Sequence, residues 1–246
     1  MTAENKPVRI AATADIHYSK TSKGSLEALF AAASREADVL LLCGDLTDYG
    51  HADEAMVLAE DIRTFVKIPV LAVLGNHDYE TGHAVEIVKI MEGAGVTMLD
   101  GEGVELMGVG FAGVCGFGGG FGRAMLNGWG EPAIKAFVQE AIDHAMRLER
   151  ALARLETAKR VVLLHYAPIR DTVKSENPEI YPFLGSSRLE GPLNRFNVAV
   201  AFHGHAHRGD PEGLTTANVP VFNVSLPLMR QTQPDQAGFR LFEIVP

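Results

Sequence analysis

The chain has 246 residues, 47% of them hydrophobic, which is enough apolar material to bury a sizeable core as one large domain or two small ones. Its formal net charge of -9 disfavours a protein that holds nucleic acid by broad backbone neutralisation, which needs clustered Lys and Arg, and leaves only a local basic groove open. No run reaches the roughly eighteen apolar residues of a membrane span, and "MTAENKPVRI" has neither a long apolar stretch nor a cleavage-site pattern, so no membrane association is expected and the cytoplasm is the expected location.

In chain order, "VRIAATAD" predicts a first strand, "SLEALFAAASREA" a helix capped by Ser25, and "DVLLLCGD" a second strand. "DEAMVLAEDIRTFVK" reads as helix, "IPVLAVLGNHD" as strand and turn, and "HAVEIVKIMEGAG" as a helix stopped by glycine. The alternation of strand and helix then breaks, because "VELMGVGFAGVCGF" favours strands with no helix between them, a hairpin being the simplest form. The overlapping stretch "FAGVCGFGGGFGRAMLNGWG" holds eight glycines in twenty residues, as a mobile connection or as a loop that lets backbone approach a ligand. From Glu131 to Lys159 a long helix carries Ile134, Val138, Ala141, Ala145, Leu148, Leu152 and Leu155 in one stripe, expected as core packing, with a partner subunit in a homo-oligomer as the alternative. "RVVLLHYAP", "NVAVAFHGHAH", "VPVFNVS" and "FRLFEIV" complete the strands, and the long polar loop "YAPIRDTVKSENPEIYPFLGSSRLEGPL" overlaps the first of them. Cys43 and Cys115 sit in apolar runs and are expected as buried thiols. No repeat or linker interrupts the chain, so a single α/β domain over residues 1–246 is expected.

The polar residues are more informative than the apolar ones. His203, His205 and His207 take a third of the nine histidines in five residues, and on an extended segment His205 and His207 would point to one side and offer two imidazoles to one small volume. A solvated histidine cluster would look the same. Four other apolar runs also end in metal-capable side chains: "AATADIH" in Asp15 and His17, "LLLCGDLTD" in Asp45 and Asp48, "LAVLGNHD" in Asn76, His77 and Asp78, and "VVLLHYAP" in His165. In open α/β sheets ligands bind at the carboxyl ends of the strands, so these groups can converge although they lie far apart in sequence. Oxygen and imidazole donors without thiolate suit manganese, iron, zinc or cobalt.

The ordered set "DIH", "GDLTD", "GNHD", "HYAP" and "GHAH" resembles the signature of the calcineurin-like metallophosphoesterase family. The resemblance implies a four-layer α/β/β/α sandwich of two mixed β-sheets with a dinuclear centre at their upper edges. It places Asp15, His17 and His207 on one metal ion, Asn76, His165 and His205 on the other, and Asp45 on both. It further implies a metal-bridging hydroxide as nucleophile on phosphorus, His77 beside the leaving-group oxygen, and Asp48 orienting His77. Asp78 is expected to be structural, and His203, outside the pattern, to pack or to act behind the ligands. Tyr49 stands where the serine/threonine phosphatases of this superfamily carry an arginine, so the chain looks more like bacterial phosphodiesterases, including cyclic-nucleotide ones, and small-molecule phosphatases. Its expected partners are small-molecule or nucleotide phosphoesters, with a nuclease or a non-catalytic scaffold of the same fold as alternatives. Arg123, Ser186, Ser187 and Arg188, in the two long loops, are candidates for substrate contact.

Overall fold

The computed structural model describes residues 6–246; the first five residues of "MTAENKPVRI" lie outside the described part. Strands β1 (Val8–Thr13), β2 (Val39–Cys43), β3 (Val70–Val73) and β4 (Val96–Met98) run parallel, with helices α1 (Glu27–Glu36), α2 (Ala52–Phe65) and α3 (Ala84–Gly93) in the crossovers. The last strand, β11 (Arg240–Ile244), returns antiparallel beside β1 and closes this sheet in the order β11-β1-β2-β3-β4.

A second sheet of six strands begins with the antiparallel pair β5 (Glu102–Leu106) and β6 (Val109–Val114), the hairpin expected where the alternation broke. It continues through α4 (Pro132–Arg154), β7 (Lys159–Leu164), α5 (Tyr181–Leu184), α6 (Glu190–Arg195), β8 (Val198–His203), β9 (Glu212–Leu214), β10 (Pro220–Asn223) and α7 (Leu226–Thr232), with strand order β5-β6-β7-β8-β10-β9. Both sheets are mixed.

Strand alternation explains the layering. Val39, Leu41 and Cys43 of β2 face inward and meet Val161 and Leu163 of β7 between the sheets, while Leu40 and Leu42 face outward under α1 and α2. Val162 and Leu164 of β7 face outward under α4 and α6. Because both faces of each central strand are covered, the strands read as unbroken apolar runs. The four layers follow directly, and each fully buried aliphatic side chain contributes about 1.5–3 kcal/mol to holding them together.

Several local expectations need correction. Ser25 does not cap α1: its amide donates to the Ser22 carbonyl, its hydroxyl faces Tyr18, and the helix starts at Glu27 with no side-chain cap. Helix α4 starts at Pro132, favoured in the first turn, and ends at Arg154 rather than Lys159, because Leu155 turns extended and the Glu156 and Thr157 amides donate to the Glu105 carboxylate. Its stripe packs into this chain's own core through Val138, Ala141, Leu148 and Leu152, whereas Ile134 is exposed. The glycine-rich stretch is not a free connection in its central part. The Gly119 and Gly120 amides donate to the Pro182 and Gly185 carbonyls, and a Cβ at Gly118 would strike the Pro182 carbonyl, so two loops pack backbone to backbone there. The long loop after His165 is itself subdivided by α5 and α6. Among the described residues no helix is long and apolar enough to cross a membrane.

Candidate metal centre

Every ligand candidate sits just past the carboxyl end of a strand or in the turn that follows it. Asp15 and His17 follow β1, Asp45 and Asp48 follow β2, Asn76 and His77 follow β3, His165 follows β7, and His205 and His207 follow β8. The strand expected through "AVAFHGHAH" stops at His203. His205 has φ 69°, so His205 and His207 come together through a turn and not through extended alternation. Asp15, His17 and Asp45 also have positive φ, at 56°, 43° and 48°. Left-handed backbone at non-glycine residues costs on the order of 1–3 kcal/mol each and persists where the surroundings over-determine it. Here four such residues stand together at the adjoining edges of the two sheets.

Two glycines show how closely the edge is packed. Gly44 adopts φ 87°, and a Cβ there would strike the His165 ring; at Gly75 a Cβ would strike Asp45. Asp78 fixes the same turns from below. Its buried carboxylate accepts from the amides of Leu46 at 3.1 Å, Thr47 at 2.8 Å and Gly75 at 2.8 Å, and from the Thr47 hydroxyl at 2.6 Å. Asp78 thereby ties the loop carrying Asp45 to the loop carrying Asn76.

The ligand atoms fall into overlapping groups, each within 4.8 Å: Asp15, His17 and His207; His17, Asp45 and His77; and Asp45, His165 and His205. Asn76 joins the last, its Oδ1 lying 2.8 Å from His165 Nε2. Main-chain carbonyls orient three rings. His165 Nδ1 donates to Cys43 at 3.1 Å, His205 Nε2 to Phe183 at 3.0 Å and His77 Nδ1 to Asp48 at 2.6 Å. The opposite nitrogen of each ring is left to face the centre. Asp48 thus meets His77 through its main-chain carbonyl, while its carboxylate stands 3.7 Å from His17 Nδ1.

The residues fit a pair of cations on two counts. Both ring nitrogens of His17 are shielded from solvent and lack a hydrogen-bond partner, an expensive arrangement without an electrophile. His165 Nε2, left with a lone pair once Nδ1 donates, faces Asn76 Oδ1, which is also an acceptor. The charges agree. Burial, with His165 next, holds His205 down to about 3, and burial holds His17 below the ordinary histidine value, so both present neutral imidazole. Burial pushes the Asp45 carboxyl up, with Asp15 adding to it. Burial would raise Asp15 as well, but the His207 hydrogen bond and the nearby histidines outweigh it and lower the value.

The remaining candidates separate from this centre. His203 is buried, with Nε2 2.7 Å from the Thr172 hydroxyl and Nδ1 2.7 Å from the Gly204 carbonyl. The Ser186 hydroxyl turns to Met125 Sδ and the Arg188 amide, the Ser187 hydroxyl accepts from the Gly122 amide, and Arg188 donates to the Leu126 carbonyl. These three hold the glycine-rich loop, and no hydrogen bond joins them to a ligand candidate. Arg123 is exposed on a short turn of that loop. Sequence reasoning missed Tyr166, whose ring lies 4.4 Å from His205, and the carbonyls of Cys43, Asp48 and Phe183. Adjacency to His165 is the only sequence signal for Tyr166.

Two mixed sheets under helical layers, with carboxylates and imidazoles converging on one strand edge, define a metallophosphoesterase fold. The chain belongs to the calcineurin-like phosphoesterase family, whose profile matches residues 8–209, and it is accordingly a phosphoester hydrolase. No curated protein matches the chain in sequence. Its structure is similar to that of phosphopantetheinyl hydrolase from Mycobacterium tuberculosis, with a TM-score of 0.68 and 17% identity, covering 99% of this chain and 98% of the other. It is also similar to TT1561 of Thermus thermophilus, with a TM-score of 0.60 and 18% identity, covering 98% of this chain and 99% of that one. At these identities the likeness establishes the fold.

Proposed function

We propose that this chain is a cytoplasmic phosphodiesterase acting on small molecules or nucleotides, with Asp15, His17 and His207 holding one metal ion, Asn76, His165 and His205 a second, and Asp45 touching both. The observation that carries this reading is the position of Asp45, whose carboxylate belongs to the His17 group and to the His165–His205 group at once. Manganese, iron, zinc or cobalt would suit the donors. Two such ions, when bound, lower the pKa of water and polarise phosphoryl oxygens.

The chain's own residues supply the rest. The His77 amide donates to Asp45 Oδ1 at 2.9 Å, which keeps its ring beside the centre, 4.6 Å from the His17 ring. Burial lowers the His77 value, but the Asp48 carbonyl and the Asp45, Glu80 and Asp48 carboxylates outweigh it and raise the net value. With Nδ1 held by the Asp48 carbonyl, Nε2 is the nitrogen left for a bound ester, and when the ring is protonated it can pass a proton to the leaving oxygen. Tyr49 is exposed where an arginine clamp would stand, which supports a small diester over a phosphoprotein. Both sheets contribute ligands, which supports one catalytic domain, and a net charge of -9 weighs against a nuclease. Chelation should abolish hydrolysis of bis-p-nitrophenyl phosphate and manganese should restore it. Full activity in protein shown metal-free by elemental analysis would overturn the reading.

A further inference from the structure

A cavity of about 450 Å³ lies beside the candidate metal centre, lined by Asn76 and Tyr166 and by Phe117, Glu140, His144 and Arg147. It shares Tyr79, Asp100 and Cys115 with a second cavity of about 580 Å³, lined by Leu74, Val85, Val88, Met98 and Leu99. The two form one groove. Each part falls within the size range of small-molecule sites. The groove starts on the His165–His205 side, since Asn76 touches His165 and the Tyr166 ring lies against His205.

From these residues we infer that the groove seats the non-reacting organic group of the substrate, and that this group is uncharged and amphipathic, polar near phosphorus and apolar at its far end. The inference rests on the phosphodiesterase reading above. The near stretch presents the exposed carboxylates of Asp100 and Glu140, acceptors for a hydroxyl or amide N–H. Arg147 is already engaged, 2.6 Å from Asp100 and 3.9 Å from Glu140, so it offers no free cation to a second phosphate. His144 is engaged as well, with Nδ1 accepting from the Gly116 amide and Nε2 3.2 Å from Glu140. At the far end Lys89 is accompanied by Glu92 and Glu102, so an anionic tail gains little there. Val85 is 70% exposed and Val88 and Met98 are part-buried, an apolar surface that a substrate tail would cover.

The test uses methyl and octyl p-nitrophenyl phosphate with the manganese-loaded protein. Burial of two or more methylenes is enough for about a tenfold gain, so kcat/KM for the octyl ester should exceed that for the methyl ester by at least that factor. Val88→Glu, which places a charge on the groove wall, should bring the ratio close to one. Val85→Glu, at an exposed position that the fold tolerates, should reduce the ratio in the same direction. Calorimetric binding of octylphosphonate against methylphosphonate gives a readout independent of turnover and should show the same preference. Equal constants for both chain lengths, or a preference that neither variant alters, would overturn the groove assignment while leaving the phosphodiesterase reading in place. Failure of the metal-loaded protein to hydrolyse either ester would overturn that reading and the groove with it.

Discussion

His17 and His207 stand at the open side of the centre, with side chains 21% and 40% exposed, whereas the His165 side chain is fully buried. The difference extends to their support. His165 and His205 are each held by a main-chain carbonyl and Asn76 is in contact with His165, while among the described residues neither nitrogen of His17 has a hydrogen-bond partner, and His207 Nε2 meets the Asp15 carboxylate at 3.1 Å. A ligand whose ring is already oriented loses little freedom when a cation arrives; an unheld ring must be ordered by the cation itself. On the proposed assignment the half-site of Asn76, His165 and His205 is therefore the tighter one, and that of Asp15, His17 and His207 the weaker.

Asp45 joins the halves, so its loss should produce the largest effect. Asp45→Asn removes the charge between the two ions and is expected to abolish measurable turnover and empty at least one half, beyond the roughly 10- to 100-fold penalty usual for partners one step removed from a metal. Wild-type rate with two ions retained would break the comparison at its hinge. His77 belongs to neither half in this assignment, so His77→Ala should keep both ions and lose roughly 100- to 10,000-fold in rate on an alkyl diester, with a smaller loss on the p-nitrophenyl ester, whose leaving group needs no proton. Equal losses on the two esters would point to charge stabilisation at phosphorus, and a lost ion would make His77 a ligand. The smallest effect on rate is expected from Asp78, which is no ligand itself but braces the loops carrying the shared Asp45 and Asn76 of the tighter half. Asp78→Ala strands four buried donors, so it should lower stability by about 3 kcal/mol or more in urea unfolding and weaken the tighter ion first. Unchanged stability would contradict this bracing role.

The strand-end polar residues are legible in the sequence because a strand brings its last residues to the sheet edge whatever the loops do afterwards. Asp15, Asp45, Asn76 and His165 lie within three residues of a strand end, which is what makes them readable. His205 and His207 do converge, but not by the alternation expected of them, since a left-handed turn at His205 leaves no mark in the composition of "GHAH". The asymmetry between the half-sites is not legible at all. It depends on the carbonyls of Cys43 and Phe183, and a main-chain oxygen is the same atom in every residue type. Ser186, Ser187 and Arg188 are hard to read for a related reason: polar residues in a long loop look alike whether they meet a substrate or another loop, and their hydrogen bonds here go to the glycine-rich one.

The most direct test of a bridged pair of unequal metal sites is titration of metal-free protein with manganese, with bound metal counted per chain in the wild type, His17→Ala and His165→Ala. Two equivalents should bind in two steps, His17→Ala should lose the weaker step and keep the tighter, and His165→Ala should lose the tighter. Binding of a single equivalent, or loss of the tighter step in His17→Ala, would contradict the account.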